Sequence, residues 1–336
     1  MRLARLIPAL AIGFLLAPAG AAAQLLEDAA ARVQNRLTEI GSTLQSRHGG
    51  LLGLMGYNMT PDGSTNSLLI QRGSGRAGGD DVTSLQLSQF GFGFTASESV
   101  PVFLETYIGY ARYDPRAYLT QGEAGRRLPL RWNNFTGTLG IGYDIRLAEN
   151  LWLRPIVNGS LGVAASDVTL FASFLHYRTG IDIPALTDKQ VNVYGVGGSL
   201  MLAYYDHRPA RDIDVELRYT QLRLQTYGNT PSGLRGSSTP RTLGLWARLR
   251  WPTGWEAFGR PVRWVIDGSG SAYLGDQREA LGFGWSVKIG GGIEFDVGRY
   301  EVGAMGLNLS RVRLIGRYFF GDRGVTGASF GIGMSF

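Results

Sequence analysis

The chain contains no cysteine. That excludes disulfides, thiolate metal sites, a cysteine nucleophile and the lipid-modified cysteine of a lipoprotein. Histidine is nearly as scarce, present only as His48, His176 and His207. Hydrolytic chemistry on a serine or water needs a base, usually a histidine held by a third group. His176, three residues after Ser173, is the one candidate pairing, and Asp80-Asp81 is a lone carboxylate pair in a Gly-rich loop. The Gly-rich stretch 73–79 is not followed by the Gly-Lys-Ser/Thr of a phosphate cradle. No catalytic, cofactor-binding or metal-binding residue is assigned, and the chain is read as a non-enzyme that needs no cofactor. Lysine occurs only at 189 and 288, so the formal net charge of +6 is nearly all arginine. The arginines are scattered rather than clustered, which argues against a nucleic-acid partner. After the N-terminal segment, no apolar run reaches the ~20 residues of a helical membrane span.

What is abundant is glycine, at 49 residues, about twice the usual share. Alternation is abundant too. From Phe283 to Val297 one face carries Phe283, Trp285, Val287, Ile289, Ile293 and Phe295, and the other carries Ser286, Lys288, Glu294 and Asp296. A strand sends these sets to opposite sides of its sheet. A cation facing lipid at a bilayer midplane costs about 2–4 kcal/mol, so the charged face belongs to a lumen. Residues 133–147 repeat the pattern, with Phe135, Leu139, Ile141, Tyr143, Ile145 and Leu147 out, and Asn134, Thr136, Thr138, Asp144 and Arg146 in. Residues 211–219 place Asp214, Glu216 and Arg218 inside; residues 242–251 place Arg248 and Arg250 inside. Noisier strands are expected near 84–96, 100–113, 151–165, 191–205, 262–274 and 300–318, and a first strand within 51–70.

The predicted architecture is an all-β, antiparallel, up-and-down transmembrane barrel of about twelve strands with one short N-terminal helix. Short connectors near 97–99, 148–150, 206–210, 252–260 and 297–299 alternate with long ones near 71–82, 114–131, 166–189, 227–239 and 275–281. Aromatics near the strand ends fit interfacial girdles: Tyr110, Tyr113, Trp132, Tyr143, Trp152, Tyr204, Tyr205, Trp251, Trp255 and Tyr300. The lumen charges Asp144, Arg146, Asp214, Glu216, Arg218, Arg248, Arg250, Lys288, Glu294 and Asp296 carry both signs. Glu105, Arg154, Arg263, Asp267, Arg311 and Arg313 share that expectation. Mixed signs point to paired networks that brace a narrow barrel.

Three segments follow. Residues 1–23 read as a signal peptide, with Arg2 and Arg5 before the apolar run Leu6 to Ala17 and a small-residue site at Ala21-Ala22-Ala23. Cleavage would start the mature chain at Gln24 and lower the charge from +6 to +4, since two arginines leave. Residues 24–49 contain a helical stripe of Leu26, Ala30, Val33, Leu37, Ile40 and Leu44, ended by Gly49-Gly50. A periplasmic or barrel-capping helix, a lumen plug and a partner-binding helix all fit it. Residues 50–336 form the barrel.

The last strand places Phe330, Ile332, Met334 and Phe336 on one face and Ser329, Gly331, Gly333 and Ser335 on the other. It resembles the C-terminal signal strand of bacterial outer-membrane barrels, which the assembly machinery reads and which pairs with the first strand. A helix followed by a twelve-strand barrel ending in Phe336 is similar to the autotransporter translocator domain. The resemblance covers residues 25–336 and implies the fold, an outer-membrane location in a Gram-negative envelope and a helix running through the lumen. Only about 25 residues separate the cleavage site from the barrel, so the expected form is a solitary barrel without a passenger. Its role is then structural or that of a narrow, partly plugged conduit. A porin-like small-solute channel, a lipid-modifying enzyme and an adhesin acting through its outer loops are the rivals. Expected partners are outer-membrane lipid and lipopolysaccharide, the barrel-assembly machinery and periplasmic chaperones, with a monomeric barrel.

Overall fold

The computed structural model describes residues 50–61, 66–72, 83–97, 99–113, 131–180, 190–257, 259–298, 303–304 and 307–335. The predicted signal peptide and the predicted helix of residues 24–49 lie outside them. The described chain opens with α1 (Gly50–Met59). The wall then runs β1 (Asn66–Arg72), β2 (Thr83–Thr95), β3 (Val102–Tyr113), β4 (Trp132–Tyr143) and β5 (Leu151–Ser166). Helix α2 (Asp167–Thr179) leads to β6 (Val191–Arg208), β7 (Arg211–Tyr227), β8 (Arg241–Ala257) and β9 (Arg260–Leu274). Helix α3 (Asp276–Leu281) precedes β10 (Trp285–Asp296), β11 (Arg311–Gly321) and β12 (Val325–Ser335).

Every neighbouring pair of wall strands is antiparallel, and β12 pairs with β1, from Ser67 opposite Phe330 to Arg72 opposite Val325. The pairing closes a ring, because β7 also pairs with β8. The fourteen-stranded sheet is twelve wall strands plus two short pieces, 145–148 and 237–238. Closure removes the unpaired edges that an open sheet would present. Among the described residues no helix is long and apolar enough to cross a membrane, which says nothing of a barrel that crosses with strands.

The pleat sorts side chains radially. Leu139, Ile141, Val157, Leu161, Val196 and Ile289 are each more than half exposed on the outside of the wall. Asn134, Thr136, Thr138, Asn158, Lys288 and Glu294, on the alternate positions, are each no more than 2% exposed. A water-soluble protein does the reverse. The outer surface therefore suits hydrocarbon, and the interior suits paired polar groups.

Connectors differ in length at the two ends. Arg208 and Arg211 pair directly across the β6–β7 hairpin, and Ala257 pairs with Arg260 across β8–β9. This is the turn end. At the opposite, loop end stand α2 and α3. Several expectations are corrected. Residues 51–59 form a helix rather than the start of the first strand. The stretch 300–318 is not one strand: β11 begins at Arg311, and a small hairpin of 303–304 with 307–308 lies in the turn-end connector. The expected loop regions 166–189 and 275–281 contain helices. Phe283 is not on the outer face; it is buried before β10 begins and packs against Tyr273 and Phe319. Trp132 is 2% exposed in the interior core rather than in an outer girdle. Tyr205 also turns inward, its hydroxyl donating to Glu216 at 2.6 Å. The side chains of Tyr113 and Tyr300 lie outside the described residues.

Candidate functional site

Among the described residues the lumen gathers most of the buried polar and charged side chains, and α1 fills its loop-end half. The helix reads Gly-Leu-Leu-Gly-Leu-Met-Gly-Tyr-Asn-Met and has no charged residue. A helix apolar on all sides is a buried helix. Leu52, Met55 and Met59 are fully buried, and Leu51 and Leu54 nearly so. They join a core with Trp132, Val191, Leu222, Leu224, Phe283 and Phe319, all from the loop-end halves of their strands or connectors. Two glycines set how closely the helix can sit. A Cβ on Gly53 would strike Cβ of Ala280 in α3, and one on Gly56 would lie 2.7 Å from Cγ of Pro240.

The last carbonyls of a helix lack internal partners, and the wall supplies them. Gln89 Nε2 donates to the Asn58 carbonyl at 3.0 Å and to the Thr60 carbonyl at 2.9 Å. The Thr138 hydroxyl donates to the Met59 carbonyl at 2.8 Å. The side-chain amides of Asn58 and Asn134 meet at 3.1 Å. The start of α1 lies beside α3 at the loop end, and its end lies against Gln89 and Thr138 near mid-wall.

Beneath α1 lies a cavity of about 50 Å³ bounded by Tyr57, Gln89, Glu216, Arg218, Trp246 and Gln277. That is room for a few waters, and far less than the ~300–1,000 Å³ of a small-molecule site.

The turn-end half is ionic. Glu105 accepts both terminal nitrogens of Arg218 at 2.7 Å and the Asn158 amide at 2.7 Å, with its side chain wholly buried. Asp144 pairs with Arg154, whose guanidinium also lies 3.8 Å over the Phe103 ring. Asp267 sits between Arg317 and Arg248, the latter at 3.2 Å, and takes the Trp246 indole N–H at 3.2 Å. Asp214 binds Arg250 at 2.9 Å and His207 at 2.8 Å. Glu294 accepts from Arg313 at 3.0 Å and Arg250 at 3.4 Å. Asp212 pairs with Arg263 and, at 3.4 Å, with Arg311. These links join β3 to β7, β7 to β8, β9 and β11, and β9 to β11, so they cross the lumen as well as the seams. Buried ions are tolerated only when charge and hydrogen-bond demand are met together.

Of the residues expected to face inward, Asp144, Asp214, Glu216, Arg218, Arg248, Arg250, Lys288 and Glu294 lie on the interior side. Arg146 does not. Alternation breaks after Tyr143, and Arg146 is exposed at the turn end, donating to the carbonyls of Ala148 and Glu149. Asp296 is half-buried and accepts from the Gly298 backbone N–H at 3.1 Å, so it shapes a turn. Asp212 and Arg317 belong to the network and were missed, although each has the inward parity of its neighbours Asp214 and Arg313. On β12, Phe330 and Ile332 point outward, 55% and 43% exposed; Met334 is half-buried, and Phe336 lies outside the described residues.

Ser173 and His176 both lie on α2, where the serine hydroxyl donates to the Thr169 carbonyl of its own helix at 2.9 Å. His207, tied to Asp214, stands at the turn-end rim. Asp80 and Asp81 lie outside the described residues. Among the described residues, no group of three or more His, Cys, Asp and Glu is placed to hold a metal.

No family model matches the sequence, and no curated protein matches it. Solved structures with a similar shape include the β domain of the Bordetella autotransporter BrkA, at 15% identity and a TM-score of 0.43, covering 81% of this chain and 97% of that one. The translocator domain of the autotransporter NalP from Neisseria meningitidis follows at 14% and 0.39, covering 81% and 85%. LpxR from Salmonella typhimurium stands at 11% and 0.36, covering 80% and 99%. The barrel described above rests on its own strand ladder and not on these likenesses.

Proposed function

We propose that this chain is a non-enzymatic outer-membrane barrel of the autotransporter-translocator type, closed at rest. Its role is structural, or that of a narrow conduit that opens only when α1 moves. The observation that supports this reading is α1 itself: an uncharged, mostly apolar helix held inside the lumen. Its start faces the loop end, which is the cell exterior if short turns face the periplasm. A permanently open small-solute channel is disfavoured by the same helix and by the small cavity beneath it. A lipid-modifying enzyme is disfavoured because the Ser173 hydroxyl is given to the Thr169 carbonyl of its own helix and His207 is tied to Asp214 at the turn-end rim. Phe330, Ile332, Met334 and Phe336 serve as the assembly signal in this reading, so deletion of Phe336 should lower outer-membrane insertion while leaving export intact.

Planar-bilayer conductance of the refolded chain tests the closed state. Wild-type protein should be nearly silent. Gly53→Leu, which drives a side chain into α3, should raise conductance. A steady open pore in the wild type, unchanged by Gly53→Leu, would sink the proposal. For the enzymatic rival, lipopolysaccharide from cells with and without the protein is compared by mass; an acyl pattern that changes and is restored by His176→Ala would overturn the non-enzyme reading.

A further inference from the structure

Helix α2 is built with care yet takes no part in the lumen. Ser166 caps its start, accepting from the Thr169 N–H at 3.1 Å, and Gly180 closes its end in the left-handed region at φ 71°. One side buries Thr169 and Ala172. The opposite side presents Leu170, Phe171, Phe174 and Tyr177, exposed by 48%, 61%, 58% and 85%. Their spacing of one, four and seven residues makes a single apolar stripe. In water such a stripe is costly and calls for an occupant.

The anchoring of α2 identifies which surface it extends. Asp167, its first residue, accepts from the Asn133 amide at 2.6 Å and from Arg112 at 2.8 Å. Both partners have outward parity: Asn133 alternates with inward Asn134 and shares a face with Phe135, and Arg112 shares a face with Ile108. Ala165, also outward by parity, is only 6% exposed, whereas Leu161 on the same face is 61% exposed. Helix α2 therefore starts on the outside of the wall, at the loop-end border of the apolar belt formed by Ile108, Phe135 and Leu161. Its stripe continues that belt, and Arg178 is exposed beside it.

We infer that α2 is an interfacial anchor whose Leu170, Phe171, Phe174 and Tyr177 lie among the acyl chains at the headgroup boundary of the leaflet at the loop end. Resting on the outer-membrane reading above, the occupant is lipopolysaccharide, whose phosphates meet Arg112 and Arg178. Aromatic side chains and cations are the groups that settle at such a boundary.

The absence of native cysteine lets one spin label report without background. The full chain carrying Phe174→Cys, and separately Leu161→Cys on the wall, is refolded into vesicles of phospholipid with or without lipopolysaccharide. Collision with oxygen reports lipid, and collision with a soluble nickel chelate reports water. The Phe174→Cys label should favour oxygen several-fold over the chelate, more strongly with lipopolysaccharide present. Preference for the chelate at both positions would bring down the membrane reading itself. Preference for the chelate at 174 alone overturns the anchor and leaves the barrel standing. Equal lipid access with and without lipopolysaccharide overturns the choice of lipid. Dipolar broadening that grows with protein-to-lipid ratio would show a second copy on the stripe, and would also overturn it. Tyr177→Cys gives the same readout should Phe174→Cys fail to refold.

Discussion

The loop-end and turn-end halves of the lumen share one wall and are filled by opposite means. At the loop end a ten-residue helix with no charge supplies Leu52, Met55 and Met59 to an apolar core. At the turn end, acids and arginines from facing strands meet across the space. The difference follows from where each filling comes from. An apolar helix is a separate body, held by packing and by a few hydrogen bonds at its end, so it can be displaced without unzipping the wall. The ionic filling grows out of the wall itself, so removing it leaves charges stranded. One half is suited to moving and the other to bracing.

The strongest way to break that contrast is Glu105→Ala. Arg218, 8% exposed, would lose its carboxylate and Asn158 its acceptor. Breaking a buried pair by removing one partner costs about 3–5 kcal/mol. The temperature at which the folded, fast-migrating form is lost on electrophoresis should fall sharply. Glu105→Leu combined with Arg218→Met should recover most of the loss, because no charge is then left alone. If Glu105→Ala changes nothing, the turn-end network is not a brace.

Met55→Ala probes the other half. The side chain is fully buried among apolar neighbours, and truncation of such a methionine costs about 2–5 kcal/mol when measured as global stability. Here the loss should fall mainly on the seating of α1. Conductance should rise while the electrophoretic unfolding temperature moves less than with Glu105→Ala. Equal effects on both readouts for the two variants would erase the distinction between a mobile half and a rigid one.

Much of the wall was legible in the sequence because alternation is a local signal. Phe135, Leu139, Ile141 and Tyr143 announce an outer face with no knowledge of partners, and the count of twelve strands follows from such stretches. Failures cluster where periodicity stops carrying information. Residues 50–59 have three glycines and no polar stripe, so neither a strand nor an amphipathic helix is marked; only the finished barrel around them makes an apolar helix stable. Arg146 was misplaced because the parity of residues 133–143 was carried past a break at Asp144. Trp132 and Phe283 were read as outer aromatics because a tryptophan or phenylalanine at a strand end looks alike whether it faces lipid or a plug. Asp212 could have been found by extending the parity of Asp214 by one step, and Arg317 by extending that of Arg313 by two. The pairing of Glu105 with Arg218, 113 residues apart, could not, since closure alone brings those strands within reach.

The smallest expected effect lies on the border between the halves, at Thr138. Its hydroxyl is 2.8 Å from the Met59 carbonyl and 2.9 Å from the Ser160 hydroxyl, so it joins the end of α1 to the polar lining. Thr138→Val keeps the shape and removes the bond. A neutral hydrogen bond contributes roughly 1 kcal/mol net, and a buried carbonyl left without its donor adds to the loss. Two bonds from Gln89 would still hold the neighbouring carbonyls of Asn58 and Thr60, so α1 should stay seated most of the time. The signature is therefore brief, infrequent openings in single-channel records, with an unfolding temperature barely changed. Gln89→Leu added to Thr138→Val should lengthen the openings more than the two single changes combined, because together they strip the end of α1 of its wall donors. Strictly additive effects would mean that the helix is held by apolar packing alone, and the border would then belong to the loop-end half.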